Sequence, residues 1–113
     1  MTEYMLIYKG GDPTWLKRSA AEKAEGMKRW GAWFEALGKR GQLVSGGAPL
    51  AFDGKRMTKD GVVTDIAASE IKELVSGYSI IRAESYEEAV AITRECPIFA
   101  GPSTVEIRAI VPM

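Results

Sequence analysis

Two Ser-x-x-Glu pairs, Ser19–Glu22 and Ser85–Glu88, each stand between an apolar strand pattern and a helical one. In such a capping box the serine side chain holds a free backbone N–H of the first turn, so each pair marks where a helix begins. Before the first lies Tyr4 to Lys9, apolar on both faces, the pattern of a central strand covered on both sides. After it Ala21, Ala24, Met27, Trp30, Phe34 and Leu37 recur every three or four residues and predict one long amphipathic helix. It should end near Gly38 to Gly41, with Lys39 and Arg40 at its negative pole. Trp33 falls off that stripe, placed to cover a pocket, join an interface or face solvent. Before the second box lies the strand Tyr78 to Glu84. After it Tyr86, Ala89, Val90, Thr93 and Cys96 form a helix face that Pro97 stops.

The segments between complete the order. Leu43 to Phe52 carries Gly46, Gly47 and Pro49 and reads as an irregular or edge strand. Asp60-Gly61 between Arg56–Lys59 and Val62–Asp65 predicts a hairpin with a two-residue turn, a register that sets Arg56 opposite Asp65. Residues 66–75 read as a loop or ragged helical turn. In the last strand, Thr104 to Val111, Val105, Ile107 and Ala109 alternate with Glu106 and Arg108. Strand–helix–strand–hairpin–strand–helix–strand over residues 1–113 predicts one α+β domain, a ferredoxin-like sandwich with both helices on one face of an antiparallel sheet. A first strand apolar on both sides then needs a cover on the open face, and a second copy of the chain is the expected one, giving a dimeric α+β barrel.

Composition narrows the chemistry. Fifteen basic residues balance fifteen acidic ones, so no net field draws the chain to nucleic acid or anionic lipid. No apolar run reaches the ~18 residues of a membrane span, and no signal-peptide pattern opens the chain, so a cytoplasmic location is expected. The chain has no histidine and a single cysteine, Cys96. That removes an internal disulfide and the usual ligands of zinc, haem and iron–sulfur clusters, so neither metal nor cofactor is expected. Chemistry is left to carboxylates, Lys, Arg, Tyr and bound water. Gly46-Gly47 lacks the Lys-Ser/Thr of a phosphate loop.

The run Val63-Thr64-Asp65-Ile66-Ala67-Ala68-Ser69-Glu70-Ile71-Lys72-Glu73, then Ser76-Gly77-Tyr78, resembles the signature of the DGPFAETKE proteins of the YCII-related superfamily. Tyr4 to Tyr8, the Trp15 turn, Cys96-Pro97 and Val105 to Arg108 extend the likeness over nearly the whole chain. Where those proteins carry Gly-Pro-Phe after the aspartate, this chain has Ile66-Ala67-Ala68, so the tight turn and its aromatic are missing. The resemblance implies a dimeric α+β barrel. For members with a His/Asp catalytic pair it supplies the aspartate without the histidine.

Asp65 is accordingly the expected catalytic residue, a strand-end carboxylate placed to shuttle a proton on a lactone-like or carboxylate substrate. Its other reading is a turn cap paired with Arg56. Arg56, Tyr78, Tyr8, Glu70 and Trp33 are the expected ligand contacts: Arg56 for a carboxylate, the tyrosines for hydroxyls. Against these stand a surface ion pair for Arg56, a solvated charge run for Glu70, and packing for the aromatics. Glu106, Arg108 and Arg82 read best as ion pairs in a subunit interface. Two functions from different classes follow: a small-molecule enzyme of the YCII type, or a non-catalytic ligand-sensing or partner-binding dimer, for example beside a transcription regulator.

Overall fold

The computed structural model describes residues 1–66 and 68–113, with residues 68–70 described by their backbone alone. The elements run β1 (Thr2–Gly10), α1 (Ala20–Lys39), β2 (Leu43–Pro49), β3 (Lys55–Met57), β4 (Val63–Asp65), β5 (Val75–Ala83), α2 (Tyr86–Thr93) and β6 (Ser103–Ala109), with 3₁₀ turns at Trp15–Lys17, Ala68–Glu73 and Pro97–Ala100. Four strands form one antiparallel sheet in the order β2-β5-β1-β6, and β3 and β4 form a separate ribbon. The apolar strand at the start of the chain is central, as its two-sided pattern requires, and the irregular Gly-Gly-Ala-Pro strand is an edge. This is the ferredoxin-like α+β arrangement.

Both capping boxes work. Ser19 Oγ accepts from Glu22 N and Ser85 Oγ from Glu88 N, each at 3.1 Å. α1 ends in a Schellman motif: Gly41 takes φ +69°, its N–H donates to Gly38 O, and Gln42 N–H donates to Leu37 O.

The buried face of α1 differs from the expected stripe. Gly26, Trp33 and Leu37 are buried and Trp30 and Phe34 half-buried, whereas Ala21, Ala24 and Met27 face solvent. The cause is Gly26. A Cβ there would stand 2.6 Å from Trp15 Cη2, so Trp15 lies directly on the helix backbone and turns the Gly26–Trp30–Trp33–Leu37 face inward. Trp33 packs edge-on to Trp30 with centroids 5.8 Å apart, and Trp30 in turn meets Tyr8 at 5.5 Å, the geometry that ring quadrupoles favour.

Alternation then sorts the sheet. Tyr4, Leu6 and Tyr8 of β1 and Ser79, Ile81 and Ala83 of β5 are buried beneath the helices. Met5 pairs with Ile80 and Ile7 with Tyr78 on the opposite face, where all four remain half-buried. Among the described residues no helix covers that face. The molecule is a plate of 43 × 42 × 18 Å with a radius of gyration of 15.5 Å, against about 13 Å for a compact chain of this length. Among the described residues no helix is long and apolar enough to cross a membrane.

Candidate functional site

The ribbon is where the structure corrects the sequence most usefully. Thr58 N–H donates to Val62 O and Gly61 N–H to Thr58 O, so the connection is a three-residue loop, Lys59-Asp60-Gly61, with Gly61 at φ +82°. That is a type I turn closed by a left-handed glycine, not the expected two-residue turn. The register moves by one: Lys55 lies opposite Asp65, Arg56 opposite Thr64, and Met57 opposite Val63. Because side chains alternate, a shift of one residue changes which of them share a face. Lys55, Met57, Val63 and Asp65 occupy one face and Arg56 and Thr64 the other. The expected Arg56–Asp65 pair is thereby replaced by a hydrogen-bonded ion pair of Lys55 with Asp65, both largely solvent-exposed.

Arg56 faces a depression of about 510 Å³ where the ribbon joins the body. Leu50, Ile66, Leu74 and Val75 give it apolar walls, and Asp53, Arg56 and Glu73 give it charge. Backbone bonds fix these walls. Leu50 N–H donates to Ser76 O at 2.9 Å, Ile66 N–H to Gly54 O at 3.0 Å, and Gly10 N–H to Leu74 O at 2.9 Å. Gly54 lacks a side chain where a Cβ would stand 3.0 Å from Ile66 Cδ1, which lets the ribbon base close on that isoleucine.

Glu73 ties the depression to the sheet. Its carboxylate lies 3.0 Å from Lys9 Nζ, which also meets Glu106 at 2.9 Å on the open face. Glu106 first, then Glu73, raises the pKa of Lys9, and Lys9 in turn lowers that of Glu106. At the other end of the same face Arg82 meets Glu3 at 3.4 Å. A second depression, about 460 Å³, lies by Gly10, Gly11, Ile71, Lys72 and Pro102. Among the described residues no three His, Cys, Asp or Glu side chains gather to hold a metal ion.

Of the expected site residues whose side chains are described, only Arg56 lines the larger depression. Asp65 lies on the ribbon's other face, one position before Ile66. Tyr78 is on the open face of the sheet and Tyr8 on the opposite, helix-covered face, with its hydroxyl donating to Ser79 Oγ at 2.8 Å. Burial pushes the ionisation of Tyr8 far above the ordinary phenolic range, so it stays a neutral core residue. Trp33 is in the core, and the Glu70 side chain lies outside the described residues. Cys96 is buried 3.8 Å from the Tyr8 hydroxyl, and burial raises its thiol pKa. Leu50, Asp53, Leu74 and Val75 carried no periodic signal in the sequence; they meet only because the ribbon folds back on the start of β5.

The family model for the YCII-related domain matches residues 2–113. The chain belongs to the YCII-related family. A search of curated proteins finds no match. For this YCII-related chain the 3₁₀ turn Ala68–Glu73 leads straight into the walls Glu73, Leu74 and Val75 of the depression.

Proposed function

We propose that this YCII-related protein is a homodimer that binds a small carboxylate with an apolar body, seated between the ribbon and the start of β5 and anchored by Arg56. The observation that carries the reading is the wall set: Leu50, Ile66, Leu74 and Val75 give an apolar body somewhere to lie, and Arg56 is the cationic group beside the carboxylates Asp53 and Glu73 in the same lining. A planar guanidinium suits a carboxylate because both oxygens can be bound at once.

The homodimer rests on the open face. Met5, Ile7, Tyr78 and Ile80 form its apolar centre, and the Glu3–Arg82 and Lys9–Glu106 pairs stand towards its ends. An apolar middle with a charged rim is the usual anatomy of a subunit contact.

A thermal-shift screen of small carboxylic acids, lactones and aromatic acids on wild type and Arg56→Gln tests the binding. A ligand at 100 times its dissociation constant stabilises by about 2.7 kcal/mol. Stabilisation by an acid in wild type that is lost in Arg56→Gln is the expected result; equal stabilisation of both proteins would remove Arg56 from the site.

A second reading has Asp65 moving a proton on a lactone-like substrate, and what favours it is that Asp65 directly precedes the wall residue Ile66. Turnover of a lactone by wild type but not by folded Asp65→Asn would support it. Binding without turnover in both proteins would leave the non-catalytic reading.

A further inference from the structure

The chain exposes more surface than its mass requires. Its accessible area is 7779 Å², against about 6100 Å² for a compact monomer of 12.3 kDa. The excess, about 1700 Å², is roughly twice what one partner buries in a standard interface, ~800 Å². The strip on the open face supplies only part of it, because Met5, Ile7, Tyr78 and Ile80 are already half-buried in their own chain. The ribbon supplies more. Met57 and Val63 lie directly opposite each other across β3 and β4, and they stand 72% and 56% exposed. Their face turns away from the depression that Arg56 lines, and the exposed Lys55–Asp65 pair closes its base end. Among the described residues the two strands contact chiefly each other. A two-stranded ribbon on its own is at best marginally stable in water and needs something to pack against.

We propose that a second copy of the chain provides that packing: the ribbon is an arm that carries the open-face interface onto the partner, with Met57 and Val63 as its contact residues. The inference rests on the reading of the protein as an open-face homodimer, and it goes further by adding a second contact surface. Continuity supports it. The ribbon springs from the end of the sheet that carries the Lys9–Glu106 pair: Leu50 N–H donates to Ser76 O, and a Cβ on Gly11 would stand 3.2 Å from Phe52 Cζ. Glu73 joins that pair to the ribbon base, since it meets Lys9 at 3.0 Å and lines the same depression as Asp53. Charge points to an identical partner. Lys55 and Asp65 neutralise each other beside two apolar side chains, so this face lies on a copy of itself without setting like charge against like.

The methionines report the arrangement directly, because Met5 lies in the strip, Met57 on the ribbon, and Met27, 66% exposed, on the outer side of α1. Chain labelled with carbon-13 in its methionine methyls is mixed with an equal amount of unlabelled chain. Nuclear Overhauser contacts from labelled methyls to unlabelled protons then cross from one copy to the other. Met5 and Met57 should both give such contacts and Met27 none. Contacts from Met5 without Met57 would overturn the arm and keep the open-face dimer. Contacts from Met27, or from none of the three, would overturn both. In sedimentation, Met57→Glu combined with Val63→Glu should raise the dimer dissociation constant at least about tenfold, since two aliphatic side chains lose their cover. Met27→Glu should leave it unchanged. A double variant that dimerises as tightly as wild type would also overturn the arm.

Discussion

Gly47 is the residue on which the β2 edge turns. It takes φ +70°, and a Cβ there would lie 1.8 Å from the Tyr78 carbonyl oxygen, so backbone, which has little room to yield, stands where any side chain would go. Gly47→Ala should cost more than about 2 kcal/mol, from left-handed strain and the clash together, measured as a lowered urea midpoint. Beneath it runs a buried polar chain: Tyr8 Oη donates to Ser79 Oγ at 2.8 Å, and Ser79 Oγ donates to Gly46 O at 2.9 Å. Tyr8→Phe leaves the second bond intact and should cost about 1 kcal/mol. Ser79→Ala strands a hydroxyl and a carbonyl at once and should cost about 2–3 kcal/mol; the same denaturation series decides the order. On the surface, hydrogen bonds from Thr14 first, then Arg18, pull the Asp12 carboxyl down to about 2. A depressed folded pKa stabilises fully above the unfolded value of about 3.9 and is lost as pH falls through the folded one. Thermal unfolding followed from pH 5 to pH 2 should therefore fall less steeply for Asp12→Asn than for wild type.

At the scale of elements, most of the fold was readable because its signals are local. A serine three residues before a glutamate caps a helix whatever surrounds it, and Pro97 stops one wherever it falls. The two errors came from contacts that the local pattern does not hold. The α1 face was displaced because Gly26 reads as a weak helix position, whereas its value lies in admitting Trp15, eleven positions earlier. The ribbon register was displaced because Asp60-Gly61 suits both a two-residue turn and a three-residue loop; the choice depends on Gly61 alone taking the left-handed conformation. That single shift parted Arg56 from Asp65 and so decided which expected site residue met the depression. Among the described side chains, Arg56 is the one of the expected set that lines it, since the aliphatic walls come from irregular backbone with no period to reveal them. Gly61→Ala tests the loop: the Thr58 amide, bonded to Val62 O at 2.9 Å, should exchange with deuterium faster. Global stability should hardly change, because no residue of β3 or β4 is buried.

For the molecule as a whole, the proposed homodimer rests on a plate 18 Å thick with an apolar strip across its open side. Light scattering on wild type should report twice the mass of one chain. Ile80→Lys, which sets a charge in the middle of the strip without touching the helix-covered core, should report one. A dimer that survives this change would place the contact elsewhere. The fold matters to the proposed function because it holds the ribbon against the start of β5. The most direct measurement of that arrangement is amide chemical-shift mapping on the isotope-labelled protein during titration with 4-methylpentanoate. A ligand site beside Arg56 predicts saturable shifts gathered at Leu50, Asp53, Arg56, Ile66, Leu74 and Val75. Shifts gathered instead around Gly10, Gly11 and Pro102, or along α1, or no saturable shift at all, would contradict it.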